Sequence, residues 1–200
     1  MAVNLDKTVA GFKNHSFDAV YAADRKEALA RVLELVPEGA SVAVPGSATV
    51  REIGVVESLE EKGHQVFDHW KDKDPTIRKK QQTADVIITS ANAAAMTGEI
   101  VNMDGIGNRV APTIFGPAQV IFVVGKNKIA EDLDSARKRV KEVAAPKRAK
   151  ELGMKTPCAE TGECNECNSP FRICRAEVII HRPPSLTKTA VVIVDEDLGN

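Results

Sequence analysis

The sequence predicts an α/β protein with an open, mainly parallel sheet, helices on both faces and a cysteine-rich loop towards its C-terminal end. Three observations lead there. From Asp18 to Leu152, short apolar runs alternate with segments of helical periodicity, which requires crossover connections between neighbouring parallel strands. Runs such as Val42–Val44 are apolar throughout, as expected of strands covered on both faces. The stretch Thr156–Arg175 then breaks the pattern with Cys, Asn, Pro and Gly and little periodicity.

In chain order, Val3–Lys13 reads as a short helix and Asp18–Ala23 as a strand. Asp24 and Glu27 form a capping box, a side-chain acceptor at the N-cap with a Glu three residues on. Behind it, Ala28, Leu29, Val32, Leu33 and Val36 recur at helical spacing until Pro37-Glu38-Gly39 ends the helix. Ser41–Val44 is a strand that runs into Pro45–Thr49, and helical patterning resumes over Val50–Lys62. Gly63 closes that helix, and His64–Phe67 is a further strand. Asp74-Pro75 reads as an N-cap followed by proline at the first helical position. Ala84–Thr89 and Gln119–Gly125 are buried-type strands. A long helix is expected over Leu133–Leu152, kinked or interrupted by Pro146. Two last strands, Glu177–His181 and Ala190–Val194, flank an Arg182-Pro183-Pro184-Ser185 turn. These elements suggest a core over 1–155, a cysteine-rich insert over 156–176 and strands over 177–200 that complete the same domain.

Composition narrows the function. The 200 residues are 43% hydrophobic, enough for a core of ordinary size, and the formal net charge is -1. Nucleic-acid binding needs a basic footprint that this balance lacks, and 4% aromatics offer few stacking platforms. No run approaches the roughly 18 apolar residues of a membrane span, so no membrane insertion is expected. Met1–His15 shows no secretory-signal core. A cytoplasmic location follows as the expectation, and there clustered thiols read as ligands rather than disulfides.

All four cysteines, Cys158, Cys164, Cys167 and Cys174, fall in one stretch with the spacing C-x5-C-x2-C-x6-C. Gly162, Asn165, Asn168 and Pro170 supply the turns a metal wrap requires. Four thiolates suit a tetrahedral zinc or a [4Fe–4S] cluster. The spacing is that of neither a zinc ribbon nor the bacterial ferredoxin run, so both metals stay open, as does a loop of thiols without metal.

The second informative stretch runs from Thr89 to Ala111, starting where a strand ends. Ligands of open parallel sheets bind beyond the carboxyl ends of the strands. Ser90, Asn92, Asn102, Asp104, Asn108 and Arg109 make it more polar than a plain connector needs, and glycines such as Gly107 allow close backbone approach. Arg109 could present a bidentate fork to a carboxylate or phosphate, and Asp104 beside it is the candidate acid/base, with Arg109 as its catalytic companion. The plainer reading is a hairpin turning at Thr97-Gly98, with Asp104 capping a loop. Gly46, Ser47 and Thr49 form a second loop of small and hydroxyl residues on the same edge, and Asn127 and Lys128, after the strand at Gly125, a third. The basic run Arg137–Lys150 reads as a solvated helix face or an attraction for an anionic ligand. His15, His64, His69 and His181 are scattered without metal spacing.

The run Gly46–Thr49, the segment Ser90–Arg109, Val124–Lys128, and the tail Thr156-Pro157-Cys158, Gly162–Cys164, Cys167–Pro170 and Arg172–Cys174 together resemble the LUD-domain (lactate-utilisation) family, in a branch with a four-cysteine tail. The closing Val194–Gly199 is similar too. The resemblance implies a NagB/RpiA/CoA-transferase-like fold, in which the Gly-Ser/Thr and central loops bind sugar phosphates, CoA esters or nucleotides. Thr97-Gly98, Val101-Asn102 and Gly107-Asn108 are also similar to a motif of methylthioribose-1-phosphate isomerase and its translation-factor relatives. Asn108 departs from their small hydroxyl residue, and no isomerase catalytic pair is evident.

Family members tied to lactate utilisation act with iron–sulfur oxidoreductase subunits in oxidising L-lactate to pyruvate. The resemblance therefore implies a component of lactate or organic-acid oxidation that holds an iron–sulfur centre and binds a small anionic metabolite, with homo-oligomers open. The alternatives are an isomerase- or transferase-like enzyme for a phosphorylated or CoA-linked metabolite, with structural zinc, and a ligand-sensing protein without turnover.

Overall fold

The computed structural model describes residues 3–200; Met1 and Ala2, the start of the Met1–His15 stretch, lie outside the described residues. Among the described residues ten strands form: β1 (Asp18–Ala22), β2 (Val42–Ala43), β3 (Val66–Phe67), β4 (Val86–Thr89), β5 (Ala93–Ala95), β6 (Ile100–Asp104), β7 (Gln119–Gly125), β8 (Ile129–Ala130), β9 (Ala176–Ile180) and β10 (Lys188–Val194). The main sheet has the order β1-β10-β7-β4-β2-β3, and every pairing in it is parallel. Its strands therefore end on one common edge, the edge of the Gly46, Ser90 and Lys128 loops. A smaller sheet, β8-β5-β6-β9, is mixed, with β6 antiparallel to both β5 and β9. The two strands after the cysteine stretch part company: β9 joins the small sheet and β10 enters the centre of the large one.

The alternation of faces along the strands explains the layering. Val86, Ile88, Ile121, Val123, Val192 and Val194 point into one core cluster, with Val32, Val50, Val56 and Leu59 from the helices. Ile87, Val120, Phe122, Val124, Val191 and Ile193 point into the other, with Phe12, Phe17 and Ile100. Both faces are thus covered, as a near-continuous apolar strand pattern requires.

The helices are α1 (Leu5–Asn14), α2 (Arg25–Leu35), α3 (Ala48–Glu52), α4 (Val55–Glu61), α5 (Ile77–Lys80), α6 (Ala111–Ile114), α7 (Leu133–Arg139), α8 (Ala145–Glu151) and α9 (Pro157–Thr161). The capping box forms: Glu27 N donates to Asp24 Oδ1 (2.8 Å), and Glu27 Oε2 accepts from Ala23 N (2.9 Å). Three helices depart from expectation. The helix expected to start at Pro75 behind an Asp74 N-cap begins at Ile77, with Thr76 as its N-cap. The helix expected over Val50–Lys62 is two short ones, because Gly54 adopts a left-handed conformation between them. The helix expected over Leu133–Leu152 passes through a π-helical stretch, Val140–Ala144. Pro146 lies two residues beyond it, and a π turn just ahead of a residue without an N–H lets the helix continue.

The small sheet is anchored by a close backbone crossing. Gly98, at φ 111°, turns the β5–β6 hairpin, and an added Cβ there would lie 2.4 Å from Gly11 O of α1. Gly98→Ala is expected to cost about 2–3 kcal/mol, combining backbone strain with a contact against main chain that cannot move aside. Chemical denaturation of the variant measures it, and a loss below about 1 kcal/mol would mean that α1 is free to shift.

Candidate functional site

At the carboxyl edge of β2, β4 and β7 the loops enclose a cleft of about 340 Å³. Gly46 and Ser47, Ser90 and Asn92, Asp104, Asn108 and Arg109, and Lys128 all line it. Three loops separated in sequence therefore meet at one place. Thr49, Asn102, Gly107 and Asn127 stand behind this lining and hold it. Ser47 is the N-cap of α3, accepting from Val50 N (3.3 Å), which engages one lone pair of its hydroxyl. Asn127 ties down the segment after β10, accepting from Leu198 N (3.1 Å) and donating to Gly199 O (3.3 Å).

The Thr89–Ala111 stretch is a hairpin, and its polar residues lock it. Asn92 N donates to Asn102 Oδ1 (3.0 Å), and Met103 N donates to Asn92 Oδ1 (2.8 Å). The fork expected of Arg109 is not free. Its Nη1 donates to Ser90 O (3.2 Å) and Asn102 Oδ1 (2.5 Å), and its Nη2 to Asn92 Oδ1 (2.8 Å) and Met103 O (2.8 Å). The four terminal N–H groups are thereby matched by four acceptors. Its Nε faces Asp104 Oδ2 at 3.7 Å. Burial pulls the Arg109 pKa down from its ordinary value, and Asp104 opposes that shift. Asp104 in turn accepts from Ile106 N and Gly107 N, both at 2.9 Å. The pair placed as acid/base and companion from the sequence is, in the structure, a keystone that joins both hairpin strands to the following loop.

The chemically available groups lie deeper. Lys128, only 4% exposed, donates to Thr49 Oγ1 (2.7 Å) and Ser90 Oγ (3.0 Å). No carboxylate lies within ion-pair distance of it among the described residues. Burial lowers its pKa from the usual lysine range to about 7, helped by Arg139 and Arg109. Thr89 lines the cleft, and its fully buried hydroxyl has no hydrogen-bond partner among the described residues, which is costly.

His69, Trp70 and Arg78, which sequence reasoning did not mark, line the cleft, as does Arg148 of the basic run. The Arg51 and Arg148 guanidinium carbons lie 4.5 and 5.3 Å from the Trp70 ring centroid, within cation–π range. His69 Nδ1–H donates to Gln81 Oε1 (3.2 Å), and burial, then Arg78, lower its pKa. The lone tryptophan of the chain, directly after a histidine, was the one available signal. The basic run divides: Arg148 lines the cleft, Arg139 turns inward to Asn127 O (2.9 Å) and Asn92 O (2.5 Å), and Arg137 pairs with Glu177 on the surface (2.8 Å).

The cleft is cationic. Arg78, Arg109, Lys128 and Arg148 line it, against one carboxylate, Asp104, which Arg109 and two backbone amides already engage. In a chain of net charge -1, that concentration of positive charge suits an anion.

Behind the cleft lies a second cavity of about 300 Å³, lined by Cys158, Cys164, Cys167 and Cys174. All four thiols are free and half-buried. Cys158 sits in the first turn of α9, its sulfur 3.4 Å from Thr156 Oγ1. Glu166, between the paired cysteines, has φ 53°, uncommon for a residue other than glycine, and is paired with Lys141. Arg172 Nε donates to Cys174 Sγ (3.3 Å), and its Nη1 to Cys167 O (3.0 Å). Among the described residues, no three His, Cys, Asp or Glu side chains close on one point that would hold a metal ion. Met103 and Ile173 line both cavities.

The fold and cleft define the chain as an open α/β protein with a cationic cleft at the carboxyl edge of its sheet. The LUD domain model matches residues 5–194, and the chain belongs to the LUD-domain family. It is similar over 95% of its length to a DUF162 family protein from Deinococcus radiodurans, a crystal structure at 1.70 Å resolution, with 94% of that chain covered, 16% identity and a TM-score of 0.57; that likeness is one of fold. No curated protein matches the sequence significantly. No helix among the described residues is long and apolar enough to cross a membrane.

Proposed function

We propose that this protein is a redox component of organic-acid metabolism, binding a small carboxylate in the cationic cleft and an iron–sulfur cluster in the cysteine cavity. The observation that carries the reading is the shared wall: Met103 and Ile173 line both cavities, so a ligand in one and a cluster in the other would be near neighbours. Cys158, Cys164, Cys167 and Cys174 all line one cavity of about 300 Å³, which has room for a polyatomic cluster.

Cys158, Cys164, Cys167 and Cys174 would be the ligands. When bound, such a cluster supplies one-electron transfer at a potential set by its surroundings. Arg172, which already donates to Cys174 Sγ, would stabilise the added negative charge, and Met103 and Ile173 would limit water between the sites. In the cleft, Lys128 and Arg148 would face the carboxylate. The family relationship favours lactate or a similar hydroxy acid, an iron–sulfur oxidoreductase partner and the reducing cytoplasm.

Metal, sulfide and absorption measurements on protein purified without oxygen test the cluster. Iron and sulfide in about fourfold excess over protein, with a visible band that bleaches on reduction, are expected, and Cys167→Ala should lose most of both. Stoichiometric zinc in a colourless sample would sink the redox reading and leave the cleft as a binding site with a structural metal nearby.

A further inference from the structure

Thr49 Oγ1 donates its hydrogen to Leu198 O (3.2 Å), and Ser90 Oγ donates to Ala91 O (3.4 Å). Both hydroxyls therefore present lone pairs to Lys128 Nζ, at 2.7 and 3.0 Å. A neutral amine has two N–H bonds and one lone pair. With both N–H bonds directed to the hydroxyls, the remaining tetrahedral position at nitrogen holds the lone pair. The neighbouring backbone fixes this arrangement: a Cβ on Gly199 would lie 2.5 Å from Thr49 Oγ1 and 3.2 Å from Lys128 Nζ, so the segment after β10 packs directly on the amine and its partner. Lys128 nonetheless lines the cleft.

We infer that Lys128 is a nucleophile that forms an imine with the carbonyl group of a small anionic ligand, an aldehyde or ketone carrying a carboxylate. A lysine kept only for charge would be served by a carboxylate neighbour or by solvent; this one has two neutral acceptors in a dry setting, the environment that activates an amine. Its pKa of about 7, set by burial first and then by Arg139, Arg109 and Lys147 against Glu52, makes the neutral form abundant at physiological pH. In the step, the Nζ lone pair attacks the carbonyl carbon and the C–O π pair moves to oxygen. The nitrogen gives up two protons, the oxygen leaves as water, and a C=N bond replaces C=O with no net oxidation. Protonated, the imine keeps one N–H for one of the two hydroxyls. Arg148, which also lines the cleft, is the cation available to the carboxylate.

The inference rests on the reading of the cleft as an anion site, and the two fail separately. The protein as purified is incubated with glyoxylate or pyruvate, reduced with borohydride, digested and mapped by mass spectrometry. A reduced adduct at Lys128 is expected, absent in Lys128→Arg even where thermal shift shows that this variant still binds the probe. Stabilisation by either probe without an adduct at position 128 would overturn the nucleophile and leave the anion site standing. Neither stabilisation nor adduct would overturn both. Competitive trace acetylation across pH gives a reading independent of the probe. Lys128 should reach half its maximal reactivity near pH 7, whereas a half-point close to the ~10.4 of ordinary lysines would count against a neutral amine and overturn the proposal.

Discussion

Arg109→Ala is expected to destabilise the folded protein by about 3–5 kcal/mol, the usual consequence of removing one partner from a buried ion pair. The variant leaves the Asp104 carboxylate without its counter-ion. It also strips hydrogen bonds from Ser90 O, Met103 O and the amide oxygens of Asn92 and Asn102. Arg109→Lys restores the charge but not the planar fork, and three ammonium donors cannot reach four acceptors arranged around a guanidinium. It should recover less than half of the loss. Urea denaturation of the three proteins decides between two roles. A keystone predicts a large fall in midpoint with little change in slope. A free fork for a ligand predicts the opposite, a stable protein that no longer binds carboxylates. The hydrogen-bond count favours the keystone, since no terminal N–H of Arg109 remains for a ligand.

That difference in role shows what sequence could and could not reveal. Regular elements were legible wherever local rules decide them. The strand at Gln119–Gly125 forms with those bounds, because the five apolar residues Val120–Val124 must be buried on both faces. The Asp24 capping box works because both partners lie within one turn. The helix break at Gly54 and the π segment before Pro146 were harder: each is a local exception whose cost is offset by packing of the flanking helices. Within the site, the loops after β2, β4 and β7 were found because parallel topology brings strand ends to one edge. The division of labour inside those loops was not legible. Arg109 and Lys128 are both cations in polar loops, and only the three-dimensional surroundings show that one meets a full set of acceptors and the other only two hydroxyls. His69, Trp70 and Arg78 line the cleft for reasons of tertiary packing alone, and Arg148 was legible only as one member of a basic run. The meeting of the cysteine cavity with the cleft through Met103 and Ile173 depends on β9 pairing with β6, a contact across a long stretch of chain that no local pattern encodes.

Lys128 should also make stability depend on pH in a way that a single substitution isolates. Its pKa is about 7 in the folded protein and near ~10.4 in the unfolded chain. Between those values the unfolded state holds more protons, so stability rises with pH across that window and levels off above it. Below about pH 7 both states are protonated and the protein carries the full cost of a buried ammonium. Some three pH units at about 1.4 kcal/mol each correspond to roughly 4 kcal/mol. Other groups titrate in the same window, and Lys128→Met removes this contribution alone while keeping an unbranched side chain of similar length. The difference in unfolding free energy between wild type and Lys128→Met is therefore expected to move by about 4 kcal/mol in favour of wild type from pH 7 to pH 10.5. At neutral pH the methionine variant should be the more stable of the two, as is usual where function holds a residue in a costly setting. A difference that stays flat across the window would mean that the lysine keeps its ordinary affinity for protons, and the dry, carboxylate-free surroundings of Nζ would then have to be wetter than the packing of Gly199, Thr49 and Ser90 around it indicates.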